Sequence, residues 1–226
     1  MNLIKVANSA EQNQKLVELL NANFSDSNYL MLLSGESSLT NLYSFLSHSF
    51  GYQFSQDLGL VDDRWDIKKY HKNSTELNIR NTGFLGRLEW AKAQWHPILT
   101  EEVDPVKEAL RYDIDLRKLF EKYAGKTVAI MSIEANGQTG GILPYSLAAT
   151  SKENVVFYIS DDEYRKRISI TLECIRRYIK TVILLIDTAE KQKLYDSIMQ
   201  NEKDLSKFPV LIFKEVEHVH VISPFL

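Results

Sequence analysis

The sequence predicts an α/β fold, a Rossmann-like open, mostly parallel sheet flanked by helices on both faces. Three observations carry that prediction. Apolar runs of strand length alternate with amphipathic stretches along the whole chain. The runs at Tyr29–Leu33, Val128–Met131 and Val182–Ile186 read as buried strands. Short polar loops then join strands to helix starts, as at Ser34–Ser38. With 226 residues, 44% of them hydrophobic and 25% charged, the chain has ordinary globular composition, which excludes disordered, collagen and coiled-coil classes. No internal repeat, low-complexity tract or linker interrupts it, so residues 1–226 read as one domain. Only 9 Gly and 5 Pro occur, about half the usual combined share, so loops that keep or lack glycine are informative.

Taken in order, Leu16, Leu19 and Leu20 recur at helical spacing after Glu11 and lead into the first buried strand, Tyr29–Leu33. Beyond the Ser34–Ser38 loop, Leu39, Leu42, Tyr43 and Leu46 restore a helical face. A second strand at Leu58–Val61 runs into Asp62-Asp63-Arg64-Trp65, followed by a polar loop at Lys68–Asn73 and a helix at Ser74–Leu85. Asp104 and Pro105 supply a cap and a first helical residue for a long helix reaching Tyr123, which Gly125 ends. Val128–Met131 is the central strand. Glu134–Ser146 holds three of the nine glycines and reads as a loop with unusual backbone demands. Val155–Ile159, Val182–Ile186, Val210–Phe213 and Val219–Ile222 are further strands, with helices at Ile168–Ile179 and Ala189–Met199.

Lysine and arginine total 27 against 30 acidic residues, a net charge of -3, which gives no electrostatic footprint for nucleic acid or an anionic membrane. A basic pocket for a small anion remains compatible with that balance. A lone cysteine, Cys174, excludes an internal disulfide and sits in an apolar helical pattern that suits a buried, inert thiol. The first ten residues lack the apolar core of a signal peptide, and the longest aliphatic run falls far short of the about 20 residues of a membrane span. A cytoplasmic protein without membrane partner is expected, and the sequence leaves its oligomeric state open.

In an open parallel sheet, ligands bind beyond the carboxyl ends of the strands, so three loops are candidates. Ser34–Ser38 offers hydroxyls and backbone N–H groups at a helix start, either for a phosphate or simply as an N-cap through Ser37 or Ser38. Asp62-Asp63-Arg64-Trp65 joins two carboxylates to a guanidinium able to fork onto a phosphate, or is a solvated charged turn. Asp187 and Glu190 have capping-box spacing, which places Lys191 in the first helical turn as an anion ligand or a plain surface lysine. His218 and His220 alternate on one strand face, but no cysteine or carboxylate cluster of ligand spacing accompanies them. Neither a glycine-rich dinucleotide fingerprint nor a P-loop is present.

Together and in order, these loops resemble the lactonase branch of the family that unites 6-phosphogluconolactonase with glucosamine-6-phosphate deaminase. Ser34-Gly35-Glu36-Ser37-Ser38 resembles its S-G-G-S-T loop, and Asp62-Asp63-Arg64-Trp65 its D-E-R-W. Asn73-Ser74 falls where the family often has a D-S-N turn. The segment from Ser132 to Pro144 aligns without a gap on G-M-G-P-D-G-H-T-A-S-L-F-P. Arg167-Ile168-Ser169-Ile170-Thr171-Leu172 resembles R-I-T-L-T-L, and Thr188-Ala189-Glu190-Lys191 the G-A-E-K helix start. The resemblance implies hydrolysis of 6-phosphoglucono-1,5-lactone to 6-phosphogluconate in the pentose phosphate pathway, with no metal or organic cofactor. It also implies a phosphate held by Gly35, Ser37, Ser38, Arg64 and Lys191, with Asn136, Gly137 and Arg167 supporting the loops.

Five positions depart from that pattern. Gln138 stands where the family has its water-activating histidine, and an amide has no useful basicity. Asn136 replaces the neighbouring aspartate, and Ser132 and Glu134 replace glycines. In the phosphate loop, Glu36 replaces a glycine and repels a phosphate if it points inward as a carboxylate. Gln138, Glu134 and Asp62 are therefore the candidate catalytic groups, the two acids as replacement bases. The alternative is a catalytically inactive or altered sugar-phosphate-binding relative.

Overall fold

A computed structural model of the chain describes residues 1–24, 28–49, 56–91, 93–161 and 166–226. Its chain order runs β1 (Asn2–Lys5), α1 (Ser9–Asn23), β2 (Leu30–Leu33), α2 (Thr40–His48), β3 (Asp57–Leu60), β4 (Asp62–Arg64), α3 (Thr75–Asn81) and α4 (Phe84–Trp90). It continues with β5 (Gln94–His96), α5 (Pro105–Lys122), β6 (Thr127–Ser132), α6 (Leu147–Thr150), β7 (Val155–Ile159) and β8 (Lys166–Ile170). The last elements are α7 (Leu172–Tyr178), β9 (Thr181–Leu185), α8 (Ala189–Asn201) and β10 (His218–Ser223).

Seven strands form one sheet in the order β1-β10-β9-β6-β2-β3-β5, and every pairing in it is parallel. Successive side chains of a strand point to opposite faces, yet every residue of β2, β6 and β9 is buried. Both faces of the sheet centre are therefore covered, which is why these strands are continuously apolar. The buried apolar residues form one cluster reaching from Val6 to Ile222. The expected mostly parallel α/β class is the class observed. Antiparallel pairing between the named strands sits apart, in a second sheet ordered β4-β8-β7 that the sequence reading did not foresee.

Helix ends follow their caps. Asn8 accepts from Ala10 and Glu11 N–H at 3.0 and 3.1 Å, and Asp104 from Val106 and Lys107 at 2.9 and 3.3 Å. Pro105 opens α5 as predicted. Four expectations need correction. The stretch Val210–Phe213 is a buried 3-10 turn within Pro209–Lys214, not a strand, because a short apolar run does not distinguish the two and the proline favours a helical start. Ile168–Ile179 is not one helix, since Thr171 caps α7 by accepting from Cys174 N–H at 3.0 Å and the residues before it pair as β8. The helix expected at Ser74–Leu85 is broken into α3 and α4 around Thr82 and Gly83. Asp62–Arg64, read as a loop at a strand end or a solvated charged turn, is itself a strand paired with β8. The edge strands β1 and β5 escaped the reading because one-sided, partly exposed strands carry little apolar signal.

Candidate active site

The carboxyl ends of β2, β3 and β6 open into a cavity of about 960 Å³. One wall is the loop after β2, with Gly35, Glu36, Ser37 and Thr40; Arg64 and Arg167 come from the small sheet. The loop after β6 gives Glu134, Ala135, Asn136 and Gln138, and Lys72, Asn73, Asn78, Asn81 and Thr82 complete the lining. Two of the three candidate loops thus meet here, together with the loop after β6.

The loop after β2 reaches α2 through a 3-10 turn at Ser37–Leu39. Neither serine acts as the expected cap, for Glu36 holds the cap position without a side-chain cap bond. Ser38 Oγ instead donates to Ser132 Oγ at 2.8 Å, tying this loop to the end of β6. Tyr43, from α2, donates its hydroxyl to Ser34 O at 2.5 Å. Gly35 permits close approach of α3, since a β-carbon there would lie 2.5 Å from Thr75 Cγ2.

The small sheet fixes the basic residues. Arg64 on β4 lies directly opposite Arg167 on β8, so both side chains share a face. Two like charges so placed repel, and an anion between them relieves the repulsion. Asp62, two residues along β4, supplies part of that relief by accepting from Arg167 Nη1 at 3.1 Å, both residues being only 3% exposed. Asp62 consequently faces Arg167 and Gly141 rather than lining the cavity. Asp63 does not hold the Arg64 guanidinium. It accepts from Thr75 N–H at 2.6 Å, Glu76 N–H at 3.2 Å and Ser74 Oγ at 3.1 Å, anchoring the start of α3. Burial pushes its carboxyl up to about 7 against those donors. Arg64 Nη1 reaches Asn73 O and Thr75 Oγ1, each at 3.4 Å.

In the loop after β6, Gly137 N–H donates to Glu134 O at 2.9 Å and closes a tight turn. Asn136 Nδ2 donates to Gln138 Oε1 at 3.0 Å, and both residues line the cavity. Gly141, at φ +69°, is required by the backbone and by space, since a β-carbon would fall 2.2 Å from Asp62 Cγ. Lys191 stands at the head of α8, where Thr188 rather than Asp187 is the cap. Its ammonium bridges Glu134 at 3.4 Å and Asp187 at 3.1 Å. Ser38 and Lys191 therefore border the site behind its lining, while Gly35, Ser37 and Arg64 face it.

Glu36 points inward. It is 8% exposed; Oε1 accepts from Gly140 N–H at 2.6 Å, while Oε2 has no hydrogen-bond partner. Burial, reinforced by Asp62 and then Glu134 and opposed by N–H donors, pushes its carboxyl from the ordinary 4.5 up to about 8. Sequence reading also missed Asn78, Asn81 and Thr82, which sit at helical spacing and look like any solvated helix face. Among the described residues no group of three or more His, Cys, Asp or Glu could hold a metal ion, and no helix is long and apolar enough to cross a membrane. Cys174 is buried, which pushes its thiol up.

A family model described as glucosamine-6-phosphate isomerases/6-phosphogluconolactonase matches residues 6–221. The chain belongs to this family. A curated relative in it, 6-phosphogluconolactonase of Synechocystis sp., is 24% identical over 153 residues, which cover 64% of this chain and 62% of that protein. Among solved structures, a 6-phosphogluconolactonase from Shewanella baltica superimposes with a TM-score of 0.84 at 16% identity, covering 99% of this chain and 97% of the other. The 6-phosphogluconolactonase from Thermotoga maritima gives 0.78 at 16% identity, with 98% and 97% covered. These likenesses establish the glucosamine-6-phosphate isomerase/6-phosphogluconolactonase fold for the chain.

Proposed function

We propose that the protein is a divergent 6-phosphogluconolactonase, which hydrolyses 6-phosphoglucono-1,5-lactone to 6-phosphogluconate. The observation that carries this reading is the cross-strand pair Arg64 and Arg167 facing the Gly35–Ser37 loop in a cavity shared with Glu134 and Gln138. Arg64 forks onto the phosphate, and the N–H groups of the turn at Ser37 and Ser38, which lack acceptors in their own helix, complete its cradle. Arg167, held by Asp62, fixes the position of the cationic wall. The Asn78, Asn81 and Asn136 amides offer both donors and acceptors to sugar hydroxyls.

In the reaction, a water oxygen bonds to the lactone carbonyl carbon, the bond from that carbon to the ring oxygen breaks, and the ring oxygen takes up a proton. Glu134 accepts the proton of the attacking water, its carboxylate held by the Lys191 ammonium. Gln138 donates its amide N–H to the carbonyl oxygen as charge develops there. Asp62, committed to Arg167, serves as a positioning residue in this scheme. The cytoplasm is the proposed setting, with no cofactor needed.

An assay on freshly generated lactone, corrected for spontaneous opening, tests this. Excess hydrolysis that disappears in Arg64→Ala is expected. No excess rate at micromolar protein overturns it, and calorimetric binding of 6-phosphogluconate without turnover assigns the chain as an inactive binder instead.

A further inference from the structure

The ladder with β8 fixes the backbone of Arg64 but not its guanidinium, which stands at the end of a flexible stem. Arg64 Nη1 reaches across to Asn73 O and Thr75 Oγ1, each at 3.4 Å, on the far side of the loop from Trp65 to Asn73. That loop must be held if the guanidinium is to be held. His71 holds it. Its Nε2–H donates to Arg64 O at 2.7 Å, and its Nδ1 accepts from Asn73 N–H at 3.3 Å. A carbonyl only accepts and an amide N–H only donates, so these two partners require the tautomer that carries its proton on Nε2. The bonds close a circuit: Arg64 backbone to imidazole, imidazole to Asn73, and Asn73 O back to the Arg64 guanidinium. Ser74 N–H donates to His71 O at 2.9 Å, so the loop runs from this clamp straight into the cap of α3. His71 is half-buried and does not line the cavity, whereas Arg64 and Asn73 do. It acts on the site only through those neighbours.

We propose that His71 is a positioning residue of the phosphate site, an imidazole strut that aims the Arg64 guanidinium by clamping its loop to the end of β4. This rests on the cavity being the sugar-phosphate site proposed above, and it adds the part that preorganises the cation of that site. A long cationic side chain loses rotamer freedom when it grips a ligand. A scaffold that has already restrained it spares the complex that loss, and restraining one such side chain changes affinity by about two- to tenfold. With the strut gone, Asn73 O no longer has a fixed place, and the guanidinium that bonds to it is released with it. The β4–β8 ladder does not pass through His71, so the strand itself stays paired.

Binding of 6-phosphogluconate, followed by NMR titration so that millimolar constants are still read, supplies the main measurement. His71→Phe keeps a ring but loses both bonds, and is expected to weaken binding about five- to tenfold. His71→Asn keeps an acceptor for Asn73 N–H but is too short for Arg64 O, so it should weaken binding similarly. His71→Gln, whose amide nitrogen extends as far as the imidazole Nε2, should recover most of the loss. The decisive step is the cycle with Arg64→Ala, in whose background His71→Phe is expected to change affinity by less than about twofold. A loss of equal size in both backgrounds overturns the proposal, since His71 would then act on the fold and not through Arg64. Unchanged binding in His71→Phe and His71→Asn overturns it too, as does a His71→Gln no better than His71→Phe. Wild type alone gives a further test that stands even where a variant fails to fold. Long-range proton–nitrogen NMR spectra at about pH 8 should show the His71 ring protonated on Nε2, and a ring protonated on Nδ1 overturns the strut. Each of these outcomes leaves the lactonase reading standing. A wild type that does not bind 6-phosphogluconate, or an Arg64→Ala that binds it as wild type does, removes the phosphate site itself and this inference with it.

Discussion

Asp57 and Glu36 are both buried carboxyl groups at strand ends of one sheet, and they behave in opposite ways. Asp57, at the amino end of β3, is surrounded by donors: His96 Nε2 at 2.5 Å, Lys122 Nζ at 2.6 Å and the Tyr123 hydroxyl. Burial raises its carboxyl, but the bonds from Lys122, Tyr123 and His96 outweigh that and hold it below the usual range. Glu36, beyond the carboxyl end of β2, accepts from Gly140 on one oxygen and faces two further acids, and its carboxyl is pushed up to about 8. Burial alone does not decide ionisation; the donors that accompany it do. At the amino end the charges satisfy each other and serve stability, whereas at the carboxyl end they are left facing a cavity.

That contrast can be broken or sharpened by four experiments. The widest spread of outcomes belongs to the double variant Asn136→Asp, Gln138→His, which places an imidazole at a position lining the cavity: with Glu134 as the proton acceptor kcat should stay within about tenfold of wild type, whereas a rise of about 100-fold or more, the usual contribution of a general base, would show that Glu134 does not fill that role. Next, Arg64→Ala should lower kcat/KM by about 100-fold through lost charge-assisted bonds to phosphate, while unfolding in urea shifts by less than about 1 kcal/mol. At the other end, Asp57→Ala should reverse the pattern. It leaves His96, Lys122 and Tyr123 without their acceptor and should cost about 2 kcal/mol of stability, moderated because Lys122 is half exposed, with kcat/KM little changed. Equal losses of activity in both variants would dissolve the division between the two ends.

The fourth experiment concerns stability against pH. Glu36 titrates higher folded than unfolded, so the unfolded chain releases its proton first, and wild type should lose stability between about pH 4.5 and 8 from this group. Glu36→Gln lacks the group, so its stability relative to wild type should rise across that window and level off above it. Asp57 has the opposite sign: its folded value is lowered, so its contribution is present above the ordinary carboxylate range and fades as the solution is made more acid. Denaturation curves for Glu36→Gln at about pH 5 and 8.5, and for Asp57→Ala at about pH 5 and 3, check the two signs.

Much of the fold was legible because its strands are buried on both faces. Runs such as Leu30–Leu33 and Thr181–Leu185 have no polar position to confuse the pattern. The small sheet was not legible, since β4 spells Asp-Asp-Arg and its pairing with β8 joins residues about a hundred positions apart, which no local period records. Gly35, Ser37, Arg64, Glu134 and Gln138 were found at the cavity because loops beyond parallel strands converge by topology. The positions of Asp62, Ser38 and Lys191 behind the lining depend on which way each side chain turns, and spacing carries no such information. Glu36 was visible as a misfit in its loop, but the missing partner of its Oε2 exists only in three dimensions.

The ladder between β4 and β8 has one more consequence. It pairs Asp62 with Ser169 and Arg64 with Arg167, so the gap between the two guanidinium carriers is set by backbone pairing rather than by loop shape. A one-residue insertion or deletion within Lys166–Ile170 would turn Arg167 to the other face and strand Asp62 in the interior. Side chains around this cavity can be exchanged one at a time, but the count of residues along β8 cannot. In this segment it is chain length that is under constraint.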